Sequence, residues 1–270
     1  MNKKAINRAI ILFDEQGTPT FSDKRESDYF LGVSVTYVAD YENELFNNCS
    51  DLFGFSKSMP LKNDKIAISR VYSIADMLSH LDLQINIHYI VLSNQDLQST
   101  VRLYEDFSNT FREKFRNVRS RPIPQILYTE MLEHALFISI SDYMKYNKIT
   151  TKFSLYIDNW CFPSCDVDIA INCNSLERKN NDINQKFFPG AFTICDDLVL
   201  LDEDSNRKRF IDIVASVISR NFLDRSNPKY CNDILTRIIG DNNHNFSQLD
   251  ITETTVKMLK YVMEDVSRNG

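Results

Sequence analysis

Ala9 to Phe13 is an unbroken apolar run that passes directly into two acids, Asp14 and Glu15. A half-exposed strand alternates apolar and polar residues, so a continuous run of this length fits a central strand covered on both faces. That single element demands layers on both sides of a sheet and points to an α/β chain. Gly17, Thr18 and Pro19 make a turn, and Tyr29 to Val38 (YFLGVSVTYV) is rich in β-branched and aromatic residues and predicts a second strand paired with the first.

Helical spacing follows over Tyr41 to Leu52 and Ile68 to Leu81, with Val71, Ile74, Ala75 and Leu78 on one arc, before Gln84 to Leu92 reads as a third strand. Asn94 or Ser93 is placed to cap a helix running to Phe115. A second long helix begins at the Pro122 and Pro124 punctuation and reaches about Lys148. Lys152 to Asp158 alternates as a strand ending on an acid, residues 159–190 read as loops with a short strand near Val167 to Ile171, and Ala191 to Leu201 is strand-like. Asp204 or Ser205 caps a helix carrying Phe210, Val214, Val217, Ile218 and Phe222, and Tyr230 to Ile239 and Asp250 to Val266 predict closing helices. The expected architecture is a mixed sheet of about five strands flanked by helices, a domain over 1–225 with a helical extension over 226–270.

With 270 residues, 43% of them hydrophobic, the chain can build its own core, and six glycines with seven prolines exclude low-complexity classes. The apolar runs fall well short of the roughly 18 residues a membrane helix needs. Lys3 and Lys4 precede an apolar stretch as a signal peptide would, but Asp14 and Glu15 end it early, so a cytoplasmic chain with reduced thiols is expected. Cys161, Cys165, Cys173 and Cys195 lack paired C-x2-C spacing and read as buried or incidental thiols rather than zinc ligands. The net charge of −6 argues against indiscriminate adhesion to nucleic acid or anionic lipid, so any nucleic-acid site must be local. Walker-type, dinucleotide-binding, zinc-protease and serine-hydrolase motifs are all absent from the sequence.

Three acids stand out by position: Asp14, with Glu15 beside it, at the end of strand one, Asp158 at the end of a later strand, and Asp212 inside an apolar helix. Carboxylates converging from separate elements repel, and a divalent cation relieves that repulsion. All-oxygen ligands favour Mg2+ or Mn2+, ions that serve phosphodiester hydrolysis; the plainer reading leaves strand-end acids as solvated turn residues. Asp212 shares its helical face with Ala215, Ser216 and Ser219, small residues suited to close approach. Arg112, Arg116 and Arg119 fall on one helical face with Lys114 and Arg121 nearby, either a basic stripe for a phosphate backbone or a solvated face. Arg207, Lys208 and Arg209 form a smaller basic group with the same two readings, and Glu130 with His134 forms an i, i+4 pair in which Glu130 is either a helix-borne fourth carboxylate or, more simply, half of a surface pair. His244 lies in a polar loop that nothing in the sequence brings to the acids.

Asp14-Glu15-Gln16-Gly17 followed by Tyr29-Phe30-Leu31-Gly32-Val33 resembles the opening of the family called domain of unknown function 3800. Tyr156-Ile157-Asp158 is similar to that family's later acid-terminated strand, and Asp204-Ser205 with Phe210 to Ala215 is similar to its terminal helix, so the resemblance spans residues 8–222. Gln16 stands where the family has Ser, Phe210-Ile211 replaces its Gln-x-Ala neighbourhood, and residues 54–70 carry no counterpart of its acidic or His-containing segment. The resemblance implies an RNase H-like fold and a metal-dependent nuclease, with Asp14, Asp158 and Asp212 in the acidic cluster, Glu15 assisting, Mg2+ or Mn2+ as cofactor, DNA or RNA as substrate, and a setting in bacterial or mobile-element defence. The alternative expectation is a catalytically degenerate interaction module that keeps the fold and works through a protein partner or self-association.

Overall fold

A computed structural model of the chain describes residues 7–17, 28–50, 65–93, 95–99, 102, 122–146, 151–157, 192–194, 199–202, 204–223, 236–238 and 246–249. The elements are β1 (Asn7–Gln16), β2 (Tyr29–Val38), α1 (Glu42–Asn48), α2 (Lys65–Ser79), β3 (Gln84–Val91), α3 (Pro122–Tyr146), β4 (Thr151–Ile157), β5 (Phe192–Ile194), β6 (Val199–Leu200), α4 (Asn206–Leu223) and β7 (Phe246–Gln248). The seven strands among the described residues join one mixed sheet in the order β5-β4-β1-β2-β3-β7, with β6 also pairing with β4.

β1, β2 and β3 form an antiparallel meander, and β4 lies parallel to β1 on its other side. A chain leaving β3 must cross the sheet to reach β4 in that sense, and α3 lies along this crossover. The apolar run of β1 is explained by this position, since Ala9 to Phe13 are all 5% exposed or less. Its side chains divide by parity. Ile10 and Leu12 join Val33, Ile87, Ala75, Leu78, Phe210 and Val214 in the core beneath α1, α2 and α4. Ala9, Ile11 and Phe13 join Phe30, Met131, Leu136, Phe153 and Leu155 in the core beneath α3.

The long middle helix runs over Pro122–Tyr146, as its proline start predicts, and buries Met131, Ala135, Leu136, Ile140 and Tyr143 at helical spacing. The helix expected from Tyr41 begins as a single 3-10 turn at Ala39–Tyr41 before α1. The strand-like segment at 191–201 resolves into two short strands, β5 and β6, on the same edge of β4. The closing segment departs from a purely helical extension: β7 pairs parallel with β3, and Ile238 is 8% exposed in the core under α2 and α4. Among the described residues no helix is long and apolar enough to cross a membrane.

Candidate functional site

Strand parity decides which acids can meet. Asp14 pairs across the sheet with Val33, whose side chain lies in the core beneath α4, so Asp14 points to that same side. It is 1% exposed, and Gln16, two residues on and of the same parity, donates from Nε2 to its Oδ2 at 3.1 Å. Gln16 therefore orients Asp14. Glu15 pairs with Gly32, whose missing Cβ would meet Met131 of α3, so Glu15 turns to the opposite side of the sheet, where it is 6% exposed.

Asp212 comes from α4, whose packing rests on β1 and β2. Ser205 starts this helix: its hydroxyl accepts the backbone N–H of Lys208 at 3.2 Å and donates to the Asp202 carbonyl at 2.7 Å. Within the stripe of small residues Ala215 is 0% and Ser219 4% exposed while Ser216 is half-buried, and Asp212 sits at its margin with a side chain 14% exposed. A solvated face is thus not what this helix presents there. Asp14 and Asp212 share the α4 side of the sheet, while Glu15 does not.

The three consecutive cations at the start of α4 divide sharply. Arg207 forks onto Glu42, Nε to Oε1 at 2.6 Å and Nη2 to Oε2 at 2.8 Å, and its guanidinium lies 4.2 Å from the Tyr156 ring centroid. Tyr37 donates its hydroxyl to the same Glu42 Oε1 at 2.7 Å, so one carboxylate ties β2 and α1 to α4. Burial alone would raise the Glu42 pKa, but the Arg207 and Tyr37 hydrogen bonds outweigh it and hold the carboxyl below its ordinary value. Arg209 is exposed, and Lys208 is buried at 4% with Nζ 3.7 Å from Asp212 Oδ1.

β4 ends at Ile157, the register partner of Phe13, and Asp158, next in sequence, lies outside the described residues. Arg112, Arg116, Arg119, His244 and the four cysteines of residues 161–195 also lie outside them. Among the described residues no group of three or more His, Cys, Asp or Glu side chains is disposed to hold a metal. Asp14 and Asp212 offer carboxylate oxygens, the donor type that hard divalent ions take, and beside Asp212 the positive charge present is the Lys208 ammonium. Cys49 is a buried thiol whose pKa burial pushes up to about 11.

A second polar group, of which only His134 was read in the sequence, lies on the α3 side. His88 of β3 is 0% exposed; its Nδ1 and Ser247 Oγ of β7 hydrogen-bond at 2.8 Å, and its ring stands edge-on to His134 of α3 with centroids 4.9 Å apart. His134 is therefore part of an internal contact, not simply one half of a surface pair. Ser139 Oγ is 2.7 Å from Ser34 Oγ and accepts from Asn86 Nδ2 at 3.1 Å, fastening α3 to β2 and β3. Compared with known proteins, the chain matches no family model and no curated protein.

Proposed function

We propose that the protein is an RNase H-like, divalent-metal-dependent nuclease that hydrolyses phosphodiester bonds of DNA or RNA. The observation that carries this reading is that a buried strand-end acid, Asp14, and a helix acid, Asp212, lie on the same side of the sheet. The strand order supports it: an antiparallel meander β3-β2-β1 continued by parallel β4 and β5, with a late helix packed over β1, is the arrangement expected of an RNase H-like sheet.

In this reading Asp14 and Asp212 hold Mg2+ or Mn2+ together with Asp158, and Gln16 fixes the Asp14 carboxylate. The bound ion supplies an activated water and charge stabilisation for the leaving oxygen. Glu15 is turned to the other side of the sheet and assists Asp14 from the neighbouring position in β1. Arg112, Arg116 and Arg119 are proposed to hold the nucleic-acid backbone.

Calorimetric titration of Mg2+ and Mn2+, with Asp14→Asn and Asp212→Asn alongside, tests the site. Cleavage of single- and double-stranded DNA and RNA tests the reaction. Binding lost in both variants together with metal-dependent cleavage is expected, whereas a folded protein that neither binds nor cleaves sinks the reading. One observation favours the competing interaction module: Lys208 already supplies a positive charge to Asp212.

A further inference from the structure

β7 is held lightly. It meets β3 only over Ile87 to Tyr89, whereas β2 pairs with β3 all the way from Gln84 to Val91. Gln248 is exposed, and Ser247 and Leu249 are half-buried. Leu249 rests against the core beneath α3, and its N–H donates to the Tyr89 carbonyl at 2.8 Å. A short edge strand with such partial cover belongs to the low end of local stability, among segments that open before the rest of a fold.

The side chain that fastens this strand is a buried titratable ring. His88 is 0% exposed, and its Nδ1 shares a 2.8 Å hydrogen bond with Ser247 Oγ. His134 of α3 stands edge-on to it, centroids 4.9 Å apart. On the β2 side its register partner is Gly32, and Met131 fills the space above that glycine. Glu15 of β1 shares this side of the sheet beyond Gly32, and Tyr128 of α3 is turned to Phe13; the Glu130 side chain lies outside the described residues. His88 Nε2 meets no hydrogen-bond partner among the described residues.

These surroundings suit a neutral imidazole. An imidazolium carries two N–H donors, and a buried donor without an acceptor is costly. Its charge would also stand against the His134 ring, so both rings cannot be protonated cheaply. Lifting β7 away removes the cover that Ser247 provides and admits water to His88. The proton and the strand therefore compete for the same ring.

We propose that β7 is a proton-released strand: neutral His88 keeps it on β3, and protonation of His88 under mildly acid conditions frees β7 and bares the β3 edge while the rest of the sheet stays folded. Burial, with His134 nearby, lowers the His88 pKa to about 3, against 6.5 for an open ring, so acid favours the open form. That difference raises the open population about 100-fold between pH 7.5 and 4.5. The bared backbone of Ile87 to Tyr89 is then free to pair with another strand. Nothing in this device depends on a metal or on the acids of the α4 side.

Hydrogen–deuterium exchange of the full chain at pH 7.5 and 4.5, corrected for the intrinsic pH dependence of amide exchange, tests it. The Leu249 amide and β7 are expected to lose protection about 100-fold, while the amides of β1 and β2 keep theirs. Protection of β7 that is unchanged, or that is lost only in step with β1 and β2, overturns the proposal. In His88→Gln the acid sensitivity of β7 should largely disappear, and undiminished sensitivity in the folded variant overturns the role of His88. Should that variant not fold, Ser247→Ala, at a half-buried position, supplies the second arm. Its β7 is expected to be more open than wild type at pH 7.5, and protection equal to wild type overturns the role of the Ser247 contact.

Discussion

Gly32 shows how one missing side chain sets the distance between a helix and a sheet. A Cβ built there would lie 2.7 Å from Met131 Cγ, 2.8 Å from Met131 Sδ and 2.9 Å from Phe13 Cε2, and the phenyl ring is fully buried. Gly32→Ala is therefore expected to cost about 1 to 3 kcal/mol by chemical denaturation, with a smaller cost in a Met131→Ala background, since the two positions share the same space. Gly17 is a separate case, a turn residue at φ +88° where a side chain would be strained. At Arg207, truncation to Met removes the fork on Glu42 and the stacking on Tyr156. Because both side chains remain partly exposed, at 27% and 21%, a loss of about 1 to 2 kcal/mol is expected from urea unfolding.

Among elements, the junction of β3, α3 and β7 makes stability depend on pH. Burial, with His134 nearby, lowers the His88 pKa to about 3, and burial lowers that of His134 as well. A group with a depressed basic pKa is neutral when folded and takes up its proton more readily when unfolded. Its contribution is complete above the unfolded value near 6.5 and is lost as pH falls from there toward about 3. Unfolding free energies from chemical denaturation are expected to stay level from pH 7.5 to about 6.5 and then to fall toward pH 4.5, with a slope approaching about 1.4 kcal/mol per unit for each histidine that titrates only in the unfolded chain. A His88→Gln protein should show a shallower slope over the same range. The lowered Glu42 acts in a different window, losing its contribution as pH falls through the folded-state carboxyl pKa.

For the whole molecule, the segment after α4 closes the β3 edge. The Leu249 N–H donates to the Tyr89 carbonyl at 2.8 Å, Ser247 meets His88, and Arg237 pairs with Asp76 while lying 5.0 Å from the Tyr72 ring centroid. Removing residues 224–270 is expected to lower stability by at least about 3 kcal/mol, through the buried Ile238 and the lost edge pairing, and to promote association through the exposed strand. Calorimetric melting and size-exclusion chromatography check both effects.

Elements whose signal is local could be read from the order of residues. β1 was legible because a doubly covered strand needs no polar alternation, and α3 and α4 because their apolar residues recur at helical steps. Of the small residues beside Asp212, Ala215 and Ser219 are buried. Period-two alternation already separates Asp14 from Glu15, yet only the pairing with Val33 and Gly32 assigns each acid to a side of the sheet. Tertiary structure alone decided the rest. β7 is three residues long and borrows its pairing from β3, and His88 meets Ser247 across 159 positions of sequence. Arg207, Lys208 and Arg209 are indistinguishable as a run of charges. Their fates diverge because helical geometry turns each toward a different partner, and only packing settles which partner stands there.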